Sequence, residues 1–417
     1  MATKQDTWRG LAVPARQTGV LFASLLAAVA LLVFSAAARG ESVAVDRSPA
    51  GAPYVAGELI VTYEEGAGER AVETLGDEAG AEVERELTAL DARLLAFPEV
   101  KRDPSRDSRE RDLERIKDDL AQNPEVESVE YNYLGQLAYT PDDPKFRNQW
   151  GLRKTGFRDA WNLTRGSGVD VAVVDTGAAV RHAELRRKVA QARDIVNDDG
   201  TVRDLSGHGT HVAGIIAADT DNHTGVAGGC PNCQLLVAKV FDGKNTGTVA
   251  RFAEGIRWSA DHGAEVINLS FTHPLPSTVE KNAIDYARDR GAVVVAAAGN
   301  KDTSRRTYPA AYLDSVIAVA ATNRKDRRAA FSNYGSWVDM AAPGVEVLST
   351  VPRGYAAWSG TSMATPHVSA LAGLLASQGR RRANIEDRIT VTAVDLGPNG
   401  RDPFYGAGRI SAYRAVS

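Results

Sequence analysis

Five short runs, 171–174, 235–240, 265–269, 292–297 and 315–320, are apolar or nearly so throughout, and helical patterns such as Val249 to His262 and Val279 to Arg290 lie among them. A run that is apolar at successive positions, rather than at every second one, suits a strand buried on both faces. Strands of that kind alternating with helices build a parallel sheet. The expected fold class is therefore α/β, with a parallel sheet sandwiched by helices. Such sheets gather reactive groups at the carboxyl ends of strands and the amino ends of helices. A chain of 417 residues, 43% hydrophobic, is long enough for more than one folding unit and apolar enough to fill a large core.

Four segments place chemistry at such ends. Val171 to Gly177 is an apolar run closing on the carboxylate of Asp175, and Gly207 to Gly214 brackets His208 with glycines at the start of a small-residue helix. Gly360 to Val368 sets Ser362 on a turn of small residues that enters an apolar helix, whose amino end favours negative charge. Val293 to Asn300 is a buried strand that ends by presenting an amide. Taken singly, each has a structural reading: a strand-ending Asp, a core His, a helix-capping Ser. Together they supply what acyl transfer needs. A serine hydroxyl is a weak nucleophile until a base removes its proton, and the imidazole base needs a carboxylate to fix its tautomer.

These motifs, in the order Asp, His, Ser, resemble those of the subtilisin-like serine peptidases, the subtilases. The resemblance runs from Tyr139 to Tyr413, passes through Phe331 to Asp339 and Ala342-Pro343-Gly344, and is similar to the thermitase branch. It implies a subtilisin-like fold and a serine endopeptidase with Asp175, His208, Ser362 and Asn300 as catalytic residues, Asn300 donating to the oxyanion. It also implies an extended substrate held between two edges, Asn245-Thr246-Gly247 and Ser270-Phe271-Thr272, beside a pocket flanked by Ala297, Gly299 and Asn300. Relatives usually carry Leu-Gly-Gly after that serine. Thr272 is expected to crowd the pocket and, with Lys301, Arg305 and Arg306 following Asn300, to turn it from large aromatics toward smaller or polar, even acidic, residues. Broad specificity is expected; a narrow processing peptidase needs the same groups. A non-catalytic binding protein on the same fold is the reading from another class.

Structural calcium is implied as well, held by Asp143, Glu184, the Asn222 side chain and the carbonyls of Asp219, Thr224 and Val226. Glu184 stands where relatives have aspartate. A second cluster, Asp194, Asn197, Asp199 and Thr201, resembles a weaker site with one acid lost.

Ahead of this region, Glu58 to Tyr63 alternates as a strand, a charged amphipathic stretch runs from Arg109 to Leu120, and Val126 to Tyr133 closes as a strand. This reads as a small α/β sandwich that resembles the inhibitory propeptide of subtilases, an intramolecular partner of the peptidase. A permanent accessory domain is the alternative. The dense charge run Lys101 to Arg111 reads as a solvated loop. Val20 to Ala38 is uncharged and apolar, follows Lys4, Arg9 and Arg16, and ends in small residues. It reads as a secretory signal cleaved after Ala38, with an uncleaved membrane anchor as the alternative. The expected organisation is a signal over 1–38, a propeptide over 39–138 and a catalytic domain over 139–417.

The expected product is a secreted, self-maturing, monomeric peptidase acting on proteins and peptides. With Lys+Arg 49 against Asp+Glu 53, the net charge of -4 offers no general basic field, and nucleic acid is not an expected partner. Only two cysteines are present, Cys230 and Cys233. Zinc would need two more strong ligands close by, and the setting is wrong for a thioredoxin-like redox pair. An exported chain favours a local disulfide.

Overall fold

The computed structural model describes residues 44–49, 52–64, 79–135 and 139–417. The expected signal segment, 1–38, lies outside the described residues. Two compact units divide the chain, the first ending at Gln136 and the second beginning at Leu137.

The first unit is an antiparallel sheet backed by helices. Pro53–Tyr63 is its central strand, paired on one side with Ala92–Ala96, which also pairs with Glu82–Leu87, and on the other with Val126–Tyr133. Val45–Arg47 adds to its beginning. Alternate residues Leu59, Val61 and Tyr63 turn inward onto Leu113 and Leu120 of the helix Arg106–Leu120. The charge run expected as a loop is instead helical, over Pro98–Arg102 and again from Arg106. Ser105 caps the second helix by accepting from Ser108 N, and Arg106 pairs with Glu110 one turn on, so opposite charges at helical spacing support the turn they occupy. Arg109 anchors it, with its guanidinium on the buried Asp46 carboxylate at 2.6 Å.

In the second unit, seven parallel strands lie in the order Met340–Pro343, Ile317–Thr322, Val293–Ala297, Val266–Leu269, Asp170–Asp175, Gln234–Lys239 and Val189–Asp194. Asp170–Asp175 comes first in sequence and sits inside the sheet, so the later strands add on both sides of it. Its side chains serve both layers. Val171 and Val173 pack with the helices His208–Ala217 and Thr361–Ala376, while Ala172 and Val174 pack with Val249–Asp261 and Thr278–Asp289. Full burial of each such valine stabilises the sheet by roughly 1.5 to 3 kcal/mol. Cys230 and Cys233 are joined as a disulfide, buried against Gly373 of the helix Thr361–Ala376. The two-stranded hairpin Val347–Val351 and Gly354–Trp358, which the sequence did not reveal, lies against the helix His208–Ala217: Ser349 and Thr350 donate to the carbonyls of His211 and Thr210.

Candidate active site

The strand Asp170–Asp175 ends with a carboxylate that is 1% exposed, and the helix bearing His208 starts against it. That approach depends on Gly209, since a Cβ there would stand 2.1 Å from the Gly177 carbonyl oxygen. His208 Nδ1 lies 2.7 Å from Asp175 Oδ1. Burial alone would lower the pKa of this imidazole, but the charge of Asp175 and its hydrogen bond outweigh burial and hold it above the ordinary histidine value. On the same helix His211 goes the other way. Burial pushes it down to about 4, and it stays neutral, with Nε2 3.0 Å from the Ala356 carbonyl and its ring stacked on Trp358.

Asp204 holds the turn into this helix. One oxygen accepts from Thr176 Oγ1 and the amides of Ser206 and Gly207, and the other from the amide and hydroxyl of Thr210. Sequence reading missed it. It lies three residues ahead of Gly207, the N-cap of this helix, which is not a capping position by sequence, so spacing alone does not mark it.

Ser362 sits in the first turn of the helix Thr361–Ala376. Its hydroxyl donates to the Ser270 carbonyl at 3.0 Å, while Ser270 Oγ donates to the Ser362 carbonyl. His208, Asn300 and Ser362 line one open pocket of about 420 Å³ together with Trp358, Gly360 and Met363. Trp358 was also missed, because the strand that carries it, Gly354–Trp358, is not legible in the sequence. Asn300 follows the strand Val293–Ala297 at a turn where Gly299 has φ 102°, and a Cβ on Gly299 would meet Asn333 Nδ2 at 2.5 Å.

The expected substrate edges have uneven structural roles. Phe271 is 9% exposed and stacks on Phe252 at 4.2 Å, so its ring belongs to the core and its backbone alone is left for an edge. Gly247 pairs with Phe241 in an isolated bridge and faces the Phe241 and Phe252 rings closely enough that a Cβ would clash. Ala297 is buried at the end of its strand. The Thr272 methyl leans toward Gly299, 3.5 Å from where a Cβ would stand there.

The expected calcium ligands also gather. Asp143 is 3% and Glu184 0% exposed, and Asp143 Oδ1 is a buried oxygen with no hydrogen-bond partner. Burial, followed by the charges of Glu184 and Asp142, raises Asp143 to about 6 even though backbone hydrogen bonds oppose the shift. Excess buried negative charge with a free oxygen fits a divalent cation. Glu184 reaches the loop, where its oxygens accept from Tyr355 OH, Val226 N and Asn222 Nδ2. Asn222 Oδ1 accepts from Thr224 N, and the Asp219 carboxylate is paired with Arg187. Among the described residues the carbonyls of Asp219, Thr224 and Val226 accept no hydrogen bond. Asp142 and Asp221 bring carboxylates close to Asp143, but Asp221 is already paired with Arg165. The weaker second cluster has a different arrangement, because the Lys239 ammonium lies 2.6 Å from Asp194 and supplies the positive charge there.

Comparison with known proteins agrees with this geometry. The profile of the subtilase family matches residues 166–408, and that of the fervidolysin N-terminal prodomain matches residues 40–132. A thermophilic serine proteinase of Bacillus sp. (strain AK1) is 42% identical over 87% of this chain and 88% of its own length. Thermitase of Thermoactinomyces vulgaris is 46% identical over 67% of this chain and 99% of its own. Among solved structures, a protease from Pseudoalteromonas arctica PAMC 21717 superposes with a TM-score of 0.62 at 32% identity, covering 67% of this chain and 99% of that one. With a prodomain ahead of a sheet that ends in the Asp175–His208 pair, the chain belongs to the subtilase family and is a serine-type endopeptidase.

Proposed function

We propose that the protein is secreted, matures itself, and hydrolyses peptide bonds through Ser362 as nucleophile, His208 as general base and then acid, Asp175 as orienting carboxylate and Asn300 as oxyanion donor. The observation that carries this reading is the 2.7 Å Asp175–His208 contact, with His208, Ser362 and Asn300 facing one pocket. As Ser362 Oγ leaves the Ser270 carbonyl and attacks the substrate carbonyl carbon, its proton passes to His208 Nε2. Asp175 stabilises the imidazolium, and the carbonyl oxygen, now negative, is met by Asn300 Nδ2. His208 then protonates the departing amine, the C–N bond breaks, and an acyl-enzyme remains. Water repeats the sequence and releases Ser362.

Calcium belongs to the same reading, with Asp143, Glu184, Asn222 and the carbonyls of Asp219, Thr224 and Val226 as its holders. It supplies positive charge to buried carboxylates and no step of the chemistry. Specificity is broad because substrate edges act through backbone groups, with Thr272 restricting the pocket beside Gly299. The first unit acts as the intramolecular inhibitor, supported by the prodomain match, and cleavage falls within Leu134 to Tyr139, where the two compact units divide.

One preparation tests this reading. The wild type and Ser362→Ala are expressed in calcium, compared by intact mass, and offered a mixed-peptide digest. The wild type is expected to lose everything before about Tyr139 and to cut many sequences, while the variant stays long and inert. Equal trimming of both would assign maturation to another peptidase, and two long, inactive products would overturn the catalytic reading.

A further inference from the structure

Beside the helix that carries His208 lies a second, larger groove of about 1160 Å³, bounded by the segments 178–182, 200–205 and 351–353. Arg181, Arg186, Arg203 and Arg353 line it, and all four are exposed. Among the described residues none of these four side chains has an ion-pair or hydrogen-bond partner. Arginines nearby are satisfied differently: Arg187 on Asp219, Arg193 on Asp198. Among the described residues the one acid lining the groove, Asp204, is 5% exposed and spends both oxygens on Thr176, Ser206, Gly207 and Thr210, so it pairs with none of the four guanidinium groups and one negative charge faces four positive ones. A chain with net charge -4 therefore concentrates unpaired positive charge in one concave place.

The groove approaches the catalytic pocket at one point. Its Pro352 lies against Gly207, the residue before His208, where a Cβ would come within 2.9 Å of the proline ring. Neither Asn245-Thr246-Gly247 nor Ser270-Phe271-Thr272, the edges assigned to the acyl half of a substrate, contributes to its lining. With the acyl half assigned to those edges, the half of the substrate left for this groove is the leaving half.

We infer that this groove binds acidic side chains of the polypeptide segment following the cleaved bond, and that the enzyme prefers substrates carrying Asp or Glu there. This inference rests on the peptidase reading above. Four arginines, with no lysine among them, suit carboxylates, because the guanidinium fork meets two carboxylate oxygens at once. The volume holds several residues of an extended chain. A nucleic acid would need a basic field beyond this groove, which the overall charge does not supply.

The test uses paired internally quenched peptides, identical through the cleaved bond and followed by either three Glu or three Gln. At low ionic strength the Glu peptide is expected to show a kcat/KM about five- to tenfold higher, a ratio that falls toward one in high salt. The same collapse is expected when Arg181, Arg186, Arg203 and Arg353 are all changed to Gln. Equal cleavage of the two peptides by an active wild type would overturn the inference and leave the peptidase reading intact. If neither peptide is cut, the peptidase reading is at fault, and fluorescence anisotropy of the labelled Glu peptide on Ser362→Ala decides the groove separately. Arginine-dependent binding there upholds it, and no binding, or arginine-dependent binding of duplex DNA alone, overturns it.

Discussion

Thr361 donates its amide and its hydroxyl to Asn300 Oδ1, at 2.8 and 3.0 Å, while that same hydroxyl accepts from Gly299 N. The acceptor end of the asparagine is thereby held, and the donor end, Nδ2, faces the pocket near Gly360. Asn300→Ala is expected to lower kcat by about 10² to 10³ with little change in KM, a magnitude that comes from subtilisin, a member of the same family. An unchanged kcat would remove Asn300 from the oxyanion role. His208 gives the pH dependence. Its pKa is raised above 6.5 and the proposed base role needs it neutral, so activity should be full at alkaline pH and fall as pH drops through that raised value. The kcat/KM profile is expected to show one protonation on its acid side, above the ordinary histidine value. A plateau persisting down to pH of about 5 would contradict this assignment.

Elements carry the site through close approach. Gly209 lets the histidine helix touch the end of the strand Asp170–Asp175, and Gly209→Ala would force a Cβ to 2.1 Å from a backbone oxygen. The expected cost is at least about 2 kcal/mol, with a larger loss of activity as the Asp175–His208 pair separates, read by thermal melting beside kcat. A variant that melts and cleaves like the wild type would show that the helix has room to shift. Five strands of the seven-stranded sheet were legible because strands buried on both faces need apolar residues at nearly every position. Val189–Asp194 was not, since only Asp194 of its residues is buried and they include Gln191 and Arg193. The hairpin at Val347–Trp358 was hidden for a similar reason, with Ser349 and Thr350 buried through hydrogen bonds rather than apolarity. Asp175, His208 and Ser362, the proposed catalytic residues, stand out in the sequence because each lies in its own local motif. Asp204 and Trp358 act through contacts set by the fold, which spacing alone does not show. The charge run before Leu113 was misread because opposite charges at helical spacing count for the helix as well as for solvation.

At the scale of the whole molecule, the carboxylates around Asp143 bind distant parts of the catalytic unit. Glu184 accepts from Val226 and from Tyr355 of the hairpin, and Asp143 accepts from the Asp221 amide. Removing calcium from Ser362→Ala with a chelator is expected to lower Tm by several degrees, and Asp143→Ala should melt low with or without the ion. An unchanged Tm in the chelated protein would argue against a structural cation.

The strand Gly354–Trp358 touches Glu184 through Tyr355, His211 through the Ala356 carbonyl, and the catalytic pocket through Trp358. Three contacts on one short ribbon couple the loop that would grip an ion to the wall of the pocket that holds Ser362. If the proposed ion is the clasp, its loss slackens that ribbon while the two core layers stay closed. The slackened ribbon is then a length of extended chain offered to any neighbouring copy. A calcium-poor enzyme would disappear by mutual digestion, faster the more concentrated it is.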